Sequence, residues 1–392
     1  MLLDDIILYD ITFLIMAIRS DSNYWVFKVA MLNKKVYIYL LFILMLSSKL
    51  FSYEISDSWA RVHLLETMGL RYILDIPVKH PNLKVAVLDG GIDYNNQYLK
   101  NQVINVYDYL NDDNDPIDED GHGTGIAGII AAEHNLQKNH MGLNPSVKIL
   151  NIQTSRAFLY SYDAAIMFNA VKDAVDRGAR VINCSFSRTN TITGKFQEAF
   201  EYARDSGVII VASGKNEEGY VPYPAAYNYT IGVAGLNEEY TEKGAGSSGN
   251  YIDFAMPAIK INSTSLQSSY DGYAPYNGTS FATPIVTAIV SRLLSYDPTM
   301  TREQVLTKLS AHSTQLPDGG AETGYGKIDA KSLALSYVDI EERKIKAEAR
   351  GHQYILEIKI VRDKQTKEIT RKVLEYIWID NKKHPIHKEF EF

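Results

Sequence analysis

The sequence predicts an α/β protein with three layers, in which helices flank a mostly parallel, doubly wound sheet and a small β appendage follows at the C-terminus. Short apolar runs of strand length alternate with segments of helical periodicity along most of the chain. The runs are apolar at consecutive positions, which is typical of parallel strands buried on both faces. Strands and helices that alternate in this way form right-handed crossovers, so the pattern predicts a parallel sheet covered on both sides.

The elements are predicted in chain order from these patterns. Strands are expected at 84–88, 147–152, 181–186, 208–212 and 229–236. Helices are expected at 123–133, 163–177 and 196–206, after a helix-like segment at 59–70. Two of these helices are followed by Gly178 and Gly207, which suit the left-handed position after a helix. Alternating residues at 354–361 and 373–379 predict a hairpin within a β-rich C-terminal extension that covers residues 337–392.

Composition excludes several classes of protein. The chain has 392 residues, of which 40 are basic and 47 acidic, and its net charge is −7. It lacks the basic stretches interleaved with aromatic residues that bind single-stranded nucleic acid, and we expect no nucleic-acid partner. The single cysteine, Cys184, excludes an intramolecular disulfide bond and a cysteine-based zinc site. Because Cys184 lies in an apolar run, we interpret it as a buried structural thiol.

The N-terminal residues 1–52 are interpreted as an extension followed by a signal peptide. Lys34 and Lys35 precede an apolar run at 36–46, and small residues follow it. This pattern predicts a protein that is secreted or held in the cell envelope, with the true start at Met31. The run is short for a membrane span. An uncleaved N-terminal membrane anchor is the alternative, because the small-residue pattern before Tyr53 fits a cleavage site poorly.

A Gly-Thr-Ser turn at 278–280 opens a nearly all-apolar helix that runs to about Leu294. The pattern predicts a buried helix with little polar face, and Pro284 is expected in its first turn, where a missing N–H costs little. Ser280 at the entrance has two interpretations, a helix N-cap or a nucleophile.

Three separate segments supply an acid, an imidazole and a hydroxyl. Asp89 ends the predicted strand at 84–88, His122 lies in a glycine-rich segment, and Ser280 opens the apolar helix. A serine becomes a useful nucleophile when a histidine takes its proton and a buried carboxylate orients that histidine. Each residue alone is more often structural, but the three together, in the order Asp, His, Ser, favour a catalytic triad.

The segments at 87–92, 121–128 and 278–284 resemble the signatures of the subtilisin-like serine proteases, and the likeness covers roughly residues 59–335. The resemblance implies a subtilisin-like peptidase domain, which we assign to residues 53–336. It also implies a serine endopeptidase that cleaves protein or peptide substrates through an acyl-enzyme intermediate.

The resemblance further implies roles for individual residues. Asp89, His122 and Ser280 form the triad, and Asn216 supplies the oxyanion hole after the strand at 208–212. The implied substrate-binding residues are Ser185, Phe186, Ser187, Ser213 and Gly214. Lys215 is an additional residue between the glycine and the asparagine.

Two other classes of function are compared with a serine endopeptidase. A catalytically impaired pseudoprotease that binds peptides without cutting them is the alternative, through a misaligned Asn216 or a cleft narrowed by Ser187. An acyl hydrolase of the α/β-hydrolase type is excluded, because its chain order runs Ser, Asp, His and its Gly-x-Ser-x-Gly elbow is absent from the sequence.

We expect no required cofactor and no metal ligand among the site residues. The acidic segment 111–120 lacks the spaced ligands and glycine of a calcium loop, and we interpret it as a solvated turn. The resemblance leaves a structural calcium ion elsewhere as an alternative. No segment of pro-domain length separates the signal from Trp59, so we expect either unaided folding or a separate proteinaceous inhibitor. A monomer is expected.

Overall fold

The computed structural model describes residues 67–133, 142–155, 163–188, 194–214, 222–241, 243–245, 249–266, 272–317, 322–349, 352–379 and 382–389. The predicted N-terminal extension and signal peptide, residues 1–52, lie outside the described residues. One compact unit comprises Val62–Ile345, Leu356–Trp378 and Lys382–Phe392. The described residues of the second unit are the strand segments 346–349, 352–355 and 379. Within the described ranges, no helix is both long enough and apolar enough to cross a membrane.

A mostly parallel sheet forms the centre of the fold. In the described part of the chain it has eight strands: β1 (Lys84–Asp89), β2 (Val103–Asp108), β3 (Lys148–Gln153), β4 (Ala179–Cys184), β5 (Ile209–Ser213), β6 (Thr230–Leu236), β7 (Lys243–Ala245) and β8 (Phe254–Pro257). The strand order is β2-β3-β1-β4-β5-β6-β7, and β8 also pairs with β6. Only the β6–β7 pair is antiparallel among these described pairs. The predicted fold class is confirmed.

The helices are α1 (His122–Ala131), α2 (Ala164–Asp176), α3 (Lys195–Asp205), α4 (Thr279–Tyr296), α5 (Arg302–Ala311) and α6 (Ala330–Leu335), and a 3-10 helix spans Thr67–Asp75. The alternation of side chains along the buried strands produces two cores. Val85 and Val87 pack in the core that contains residues of α1 and α4. Ala86 and Leu88 pack in the core that contains residues of α2 and α3. The two cores make the sheet the middle of three layers.

The five predicted strands correspond to β1, β3, β4, β5 and β6, and the predicted helices to α1, α2 and α3. Strand β2 was not predicted. It lies at the edge of the sheet, and Ile104 and Asn105 are exposed, so it lacks a run of consecutive buried residues. The short antiparallel pairs β9 (Ile261–Thr264) with β10 (Tyr273–Tyr276) and β11 (Ser313–Thr314) with β12 (Lys327–Ile328) were also not predicted.

The C-terminal strands form a second sheet with the order β13 (Val338–Ala349), β14 (His352–Asp363), β15 (Ile369–Ile379) and β16 (Lys382–Glu389). The predicted hairpin corresponds to β14 and β15. The charged residues at 341–349 belong to β13, which was not predicted. Because β13 lies at the edge of this sheet, its many charged residues are typical of a strand protected against further pairing.

A buried ionic cluster joins β14 and β15 to the 3-10 helix. Asp75, which is 1% exposed, accepts hydrogen bonds from Lys359 Nζ at 2.8 Å and from Arg371 at 3.0 Å. Lys359 is 2% exposed and also lies 5.1 Å from the centre of the Tyr72 ring. A lysine is this deeply buried only when it is paired. The C-terminal strands are therefore held by charges inside the protein and not only by surface contacts.

Candidate active site

The first half of the candidate site is a carboxylate paired with an imidazole. Asp89 ends β1 and is 5% exposed, and His122 begins α1. His122 Nδ1 lies 2.7 Å from Asp89 Oδ1, which also accepts the Gly90 N–H at 2.8 Å. A carboxylate bonded to one ring nitrogen fixes the tautomer and leaves the other nitrogen available as a base.

The entrance of α1 is shaped to bring His122 to Asp89. A Cβ atom at Gly123 would lie 2.0 Å from the carbonyl oxygen of Gly91, so only glycine permits this approach. The buried Asp118 carboxylate accepts the N–H groups of Gly121 and Thr124 at 2.9 and 2.8 Å. These bonds satisfy first-turn donors that the helix itself leaves unpaired.

The surrounding carboxylates change the proton affinity of His122. Burial lowers the pKa of its imidazole, but the charge and hydrogen bond of Asp89 outweigh burial and, with Asp120 and Asp118, raise it to about 9. Burial raises the pKa of Asp118 to about 6, against the hydrogen bonds that it accepts. The surrounding carboxylates therefore stabilise the protonated form of His122.

The second half of the site is the entrance of α4. Gly278 precedes the helix with φ 123°, a conformation that L-residues rarely adopt. Ser280 Oγ donates to the carbonyl oxygen of Ser185 at 3.0 Å, and in the described part of the chain no hydrogen bond joins it to His122. The next residue, Phe281, packs edge-on against the His122 ring with centroids 5.2 Å apart. The entrance of α4 thus lies beside the His122 ring through Phe281, while the Ser280 hydroxyl points to the residue that follows β4.

Pro284 has a different position from the one predicted. Because α4 begins at Thr279, Pro284 is the sixth residue of the helix and not part of its first turn. A proline has no N–H, so the carbonyl four residues earlier, that of Ser280, loses its helical donor. The Ser185 hydroxyl takes this place and donates to the Ser280 carbonyl at 2.7 Å. Ser185 and Ser280 therefore exchange two hydrogen bonds.

The helix is also more polar than predicted, because it carries buried hydroxyl groups at every fourth residue: Thr279, Thr283, Thr287, Ser291 and Ser295. All five are 0% exposed. Several donate within the helix, as Thr283 does to the Thr279 carbonyl at 2.9 Å. A serine or threonine whose hydroxyl donates to a carbonyl of its own helix can be buried, because its hydrogen bond is made within the helix.

The other predicted site residues lie at the ends of neighbouring strands. Ser185 and Ser213 are 3% and 2% exposed, and Ser213 Oγ lies 2.7 Å from Thr279 Oγ1 at the start of α4. The Gly214 N–H donates to the Val233 carbonyl at 2.8 Å. Ser187 is half-buried. Asn216 and its neighbour Lys215 lie outside the described residues.

The side chain of Phe186 lies on the opposite side from Ser185. Phe186 is 7% exposed and belongs with Cys184 to the core on the α2 and α3 side. A substrate role of Phe186 would therefore use its backbone. Cys184 is fully buried, and burial raises the pKa of its thiol well above its ordinary value. The interpretation of Cys184 as a buried structural thiol agrees with this environment.

Sequence reasoning did not single out Asp118, Asn183 and Thr287. Asn183 Nδ2 donates to Ser185 Oγ at 3.0 Å, and Thr287 Oγ1 donates to Asn183 Oδ1 at 2.8 Å. A polar residue in an otherwise apolar strand is the signal that marks Asn183. Thr287 carries no comparable signal, since a threonine in a helix usually bonds to its own backbone.

Carboxylates in and before the acidic segment 111–120 accept local hydrogen bonds. Asp108, at the end of β2, accepts the N–H groups of Leu110 and Asn111, and Asp113 within the segment accepts that of Asp115. Asp108 Oδ2 is buried and has no hydrogen-bond partner. Across the described ranges, however, no three histidine, cysteine, aspartate or glutamate residues form a group that could hold a metal ion.

Comparison with known proteins identifies the family of the chain. The Subtilase family matches residues 80–327. The thermophilic serine proteinase of Bacillus sp. (strain AK1) is 30% identical over 269 residues, which are 68% of this chain and 65% of that protein. Thermitase of Thermoactinomyces vulgaris is 33% identical over 213 residues, which are 54% of this chain and 75% of that protein. The chain thus spans less than two thirds of the first of these relatives.

Solved structures share the fold. The MycP3 protease from the type VII (ESX-3) secretion system has a TM-score of 0.61 at 22% identity, over 71% of this chain and 89% of that one. The prenylagaramide maturation protease PagA has a TM-score of 0.59 at 21% identity, over 68% of this chain and 98% of that one. With a family match over more than half of its length, the chain belongs to the subtilase family.

Proposed function

We propose that the protein is a serine endopeptidase in which Ser280 is the nucleophile, His122 the general base and Asp89 the residue that orients His122. The observation that carries the proposal is the 2.7 Å bond between Asp89 and His122, beside a serine at a helix entrance. A histidine fixed by a buried carboxylate takes the proton of a serine hydroxyl far more readily than water does.

The proposed reaction begins with a change of hydrogen-bond partner. The Ser280 hydroxyl leaves the Ser185 carbonyl and turns to the free nitrogen of His122. The released carbonyl at the end of β4 then accepts an N–H of the substrate, which binds as an added strand. Ser280 Oγ attacks the scissile carbonyl while His122 takes its proton, and His122 returns this proton to the leaving amine. Water then hydrolyses the acyl-enzyme by the same base.

The oxyanion of the tetrahedral intermediate needs hydrogen-bond donors close to Ser280. The Ser280 N–H lies in the first turn of α4, where backbone N–H groups have no intrahelical partner. Asn216 is proposed as the second donor on the basis of its position after β5. Such a donor lowers the barrier by about 3 to 4 kcal/mol.

The remaining assignments complete the proposal. Residues 53–336 form the peptidase domain, and 337–392 form a C-terminal extension. The basic and apolar pattern at 34–46 supports export by a signal peptide. Substrates are proteins or peptides that lie against the backbone at 185–187 and 213–214. We propose a monomer without a required cofactor, which either folds unaided or is controlled by a separate proteinaceous inhibitor.

A fluorophosphonate probe tests the proposal directly, with Ser280→Ala as the matched control. Wild-type protein should form a covalent adduct and cleave unfolded casein, whereas Ser280→Ala should do neither and retain the wild-type melting temperature. If the wild type labels no better than Ser280→Ala, Ser280 is not an active nucleophile. Labelling at Ser280 without cleavage of casein would instead favour the pseudoprotease.

A further inference from the structure

A chain of buried hydrogen bonds leads from the middle of α4 to the peptide group of Ser280. Thr287 donates to Asn183 Oδ1 at 2.8 Å, and Asn183 Nδ2 donates to Ser185 Oγ at 3.0 Å. Ser185 Oγ in turn donates to the Ser280 carbonyl at 2.7 Å. Thr287 and Asn183 are 0% exposed and Ser185 is 3% exposed. The Ser280 carbonyl can only accept, so the Ser185 hydroxyl donates to it and accepts from Asn183 Nδ2. This orientation of the Asn183 amide leaves Oδ1 as the acceptor for the Thr287 hydroxyl.

Thr287 differs from its neighbours in the hydroxyl stripe of α4. Thr283, Ser291 and Ser295 donate to backbone carbonyls of α4 itself. Thr287 donates across to strand β4 instead. A threonine in a helix ordinarily bonds to its own preceding turn. The hydroxyl of Thr287 therefore serves a contact between two elements and not the helix that carries it.

Pro284 explains why this contact matters at Ser280. The Ser280 carbonyl lacks its helical donor, so the Ser185 hydroxyl is the group that holds the Ser280–Phe281 peptide in the helical direction. A serine hydroxyl can rotate about its C–O bond. Because the Asn183 Nδ2 group donates to Ser185 Oγ, the hydroxyl proton of Ser185 is directed away from Asn183 and toward the Ser280 carbonyl. Asn183 can do this only in one orientation of its amide, which the Thr287 hydroxyl selects by donating to Oδ1.

We propose that Asn183 and Thr287 are positioning residues for the nucleophile. Through Ser185 they fix the peptide plane that follows Ser280, and with it the direction in which the Ser280 side chain and N–H point. The inference rests on the proposed function, since it assigns these residues to the same reaction. Neither side chain contacts the substrate, so the effect should fall on the rate of attack and not on substrate binding.

Thr287→Val tests this role because valine keeps the shape of threonine and removes the hydroxyl. Thr287→Ser restores the hydroxyl, and Ser291→Ala removes a buried hydroxyl from the same stripe one turn further on. In Ser291→Ala the Asn144 amide keeps its bond to Ser295 Oγ. The measurements are the fluorophosphonate labelling rate, kcat and KM on a peptide, all well below the melting temperature.

Thr287→Val should lower the labelling rate and kcat about tenfold, the effect of one buried hydrogen bond, with KM changed less than about twofold. Thr287→Ser and Ser291→Ala should both label at the wild-type rate. Labelling of Thr287→Val at the wild-type rate overturns the positioning role, and so does equal slowing in Thr287→Val and Ser291→Ala. If the wild type itself does not label at Ser280, the proposed function fails instead.

Should Thr287→Val fail to fold, Ser185→Ala provides a second test. It removes the hydroxyl that donates to the Ser280 carbonyl, so its labelling rate should fall about tenfold or more. Unchanged labelling in Ser185→Ala contradicts the proposal equally.

Discussion

The two ends of helix α4 are held by polar groups in different ways. At the N-terminal end, Ser280 exchanges two hydrogen bonds with Ser185, which follows the neighbouring strand β4. At the C-terminal end, the buried Arg292 donates to the carbonyls of Leu74 and Ile76 at 2.6 and 2.7 Å. The residue between these two is Asp75, which binds Lys359 and Arg371 of the C-terminal sheet.

This difference separates chemistry from stability along one helix. The N-terminal bonds set the direction of a reactive hydroxyl, and each is a neutral bond of modest net free energy. The C-terminal bonds satisfy charges in a buried environment, where loss of a partner is costly. We therefore expect substitutions near Ser280 to change rates with little change in folding, and substitutions near Asp75 to do the opposite.

Among the variants that keep Ser280, the largest rate effect is expected for Asp89→Asn. The amide keeps the shape of the carboxylate but favours the wrong tautomer of His122, and kcat should fall by about 10⁴. Steady-state kinetics and a thermal melt of the same preparation measure the two effects. A variant that loses its fold together with its activity would show that Asp89 mainly supports the structure.

The largest stability effect is expected for Asp75→Ala. It leaves the ammonium group of Lys359, 2% exposed, without its buried carboxylate, and should lower the free energy of unfolding by about 3 to 5 kcal/mol. Chemical denaturation measures this loss. The control is Lys172→Ala, which breaks the exposed Lys172–Asp176 pair on α2 and should leave the unfolding midpoint almost unchanged. Equal effects of the two variants would contradict a special role of the buried cluster.

Asn216→Ala should lower kcat by about 10² to 10³ and change KM little, because an oxyanion donor acts mainly in the transition state. The unfolding midpoint should stay at the wild-type value. An unchanged kcat would remove Asn216 from the oxyanion hole and leave the Ser280 N–H as the assigned donor.

The smallest effect is a shift along the pH axis. His122 accepts a proton from Ser280 only when it is neutral, and its pKa is raised to about 9, so kcat/KM should rise with pH through about 9. In Asp89→Asn the rise of the residual activity with pH should move to a lower pH, because the negative charge that stabilises the imidazolium is gone. If kcat/KM rises at the same pH in the wild type and in Asp89→Asn, the titrating group is not His122.

Much of the architecture could be predicted because local patterns determine it. Strands β1 and β3 to β6 are runs of consecutive apolar residues, and such runs are stable mainly when buried on both faces. The sequence also singled out Asp89, His122 and Ser280 as candidates, because their motifs are local, and Asp89 and His122 are in contact in the structure. The edge strands β2 and β13 were not predicted, since an edge tolerates exposed or charged residues.

The polar networks could not be predicted because they join residues far apart in sequence. Thr287 and Asn183 are separated by 104 residues, and Lys359 and Asp75 by 284. A threonine in an apolar helix and a lysine in an alternating strand each satisfy ordinary local rules. Only the assembled fold determines that one reaches an asparagine on β4 and the other a buried carboxylate.

The separation of roles along α4 is tested most directly by one assay on two variants. The measurement is the fluorophosphonate labelling rate of Thr287→Val and Asp75→Ala, at a temperature where both are folded. We expect Thr287→Val to label about tenfold more slowly than the wild type and Asp75→Ala to label at the wild-type rate despite its lower stability. Slower labelling of Asp75→Ala than of Thr287→Val would contradict the account.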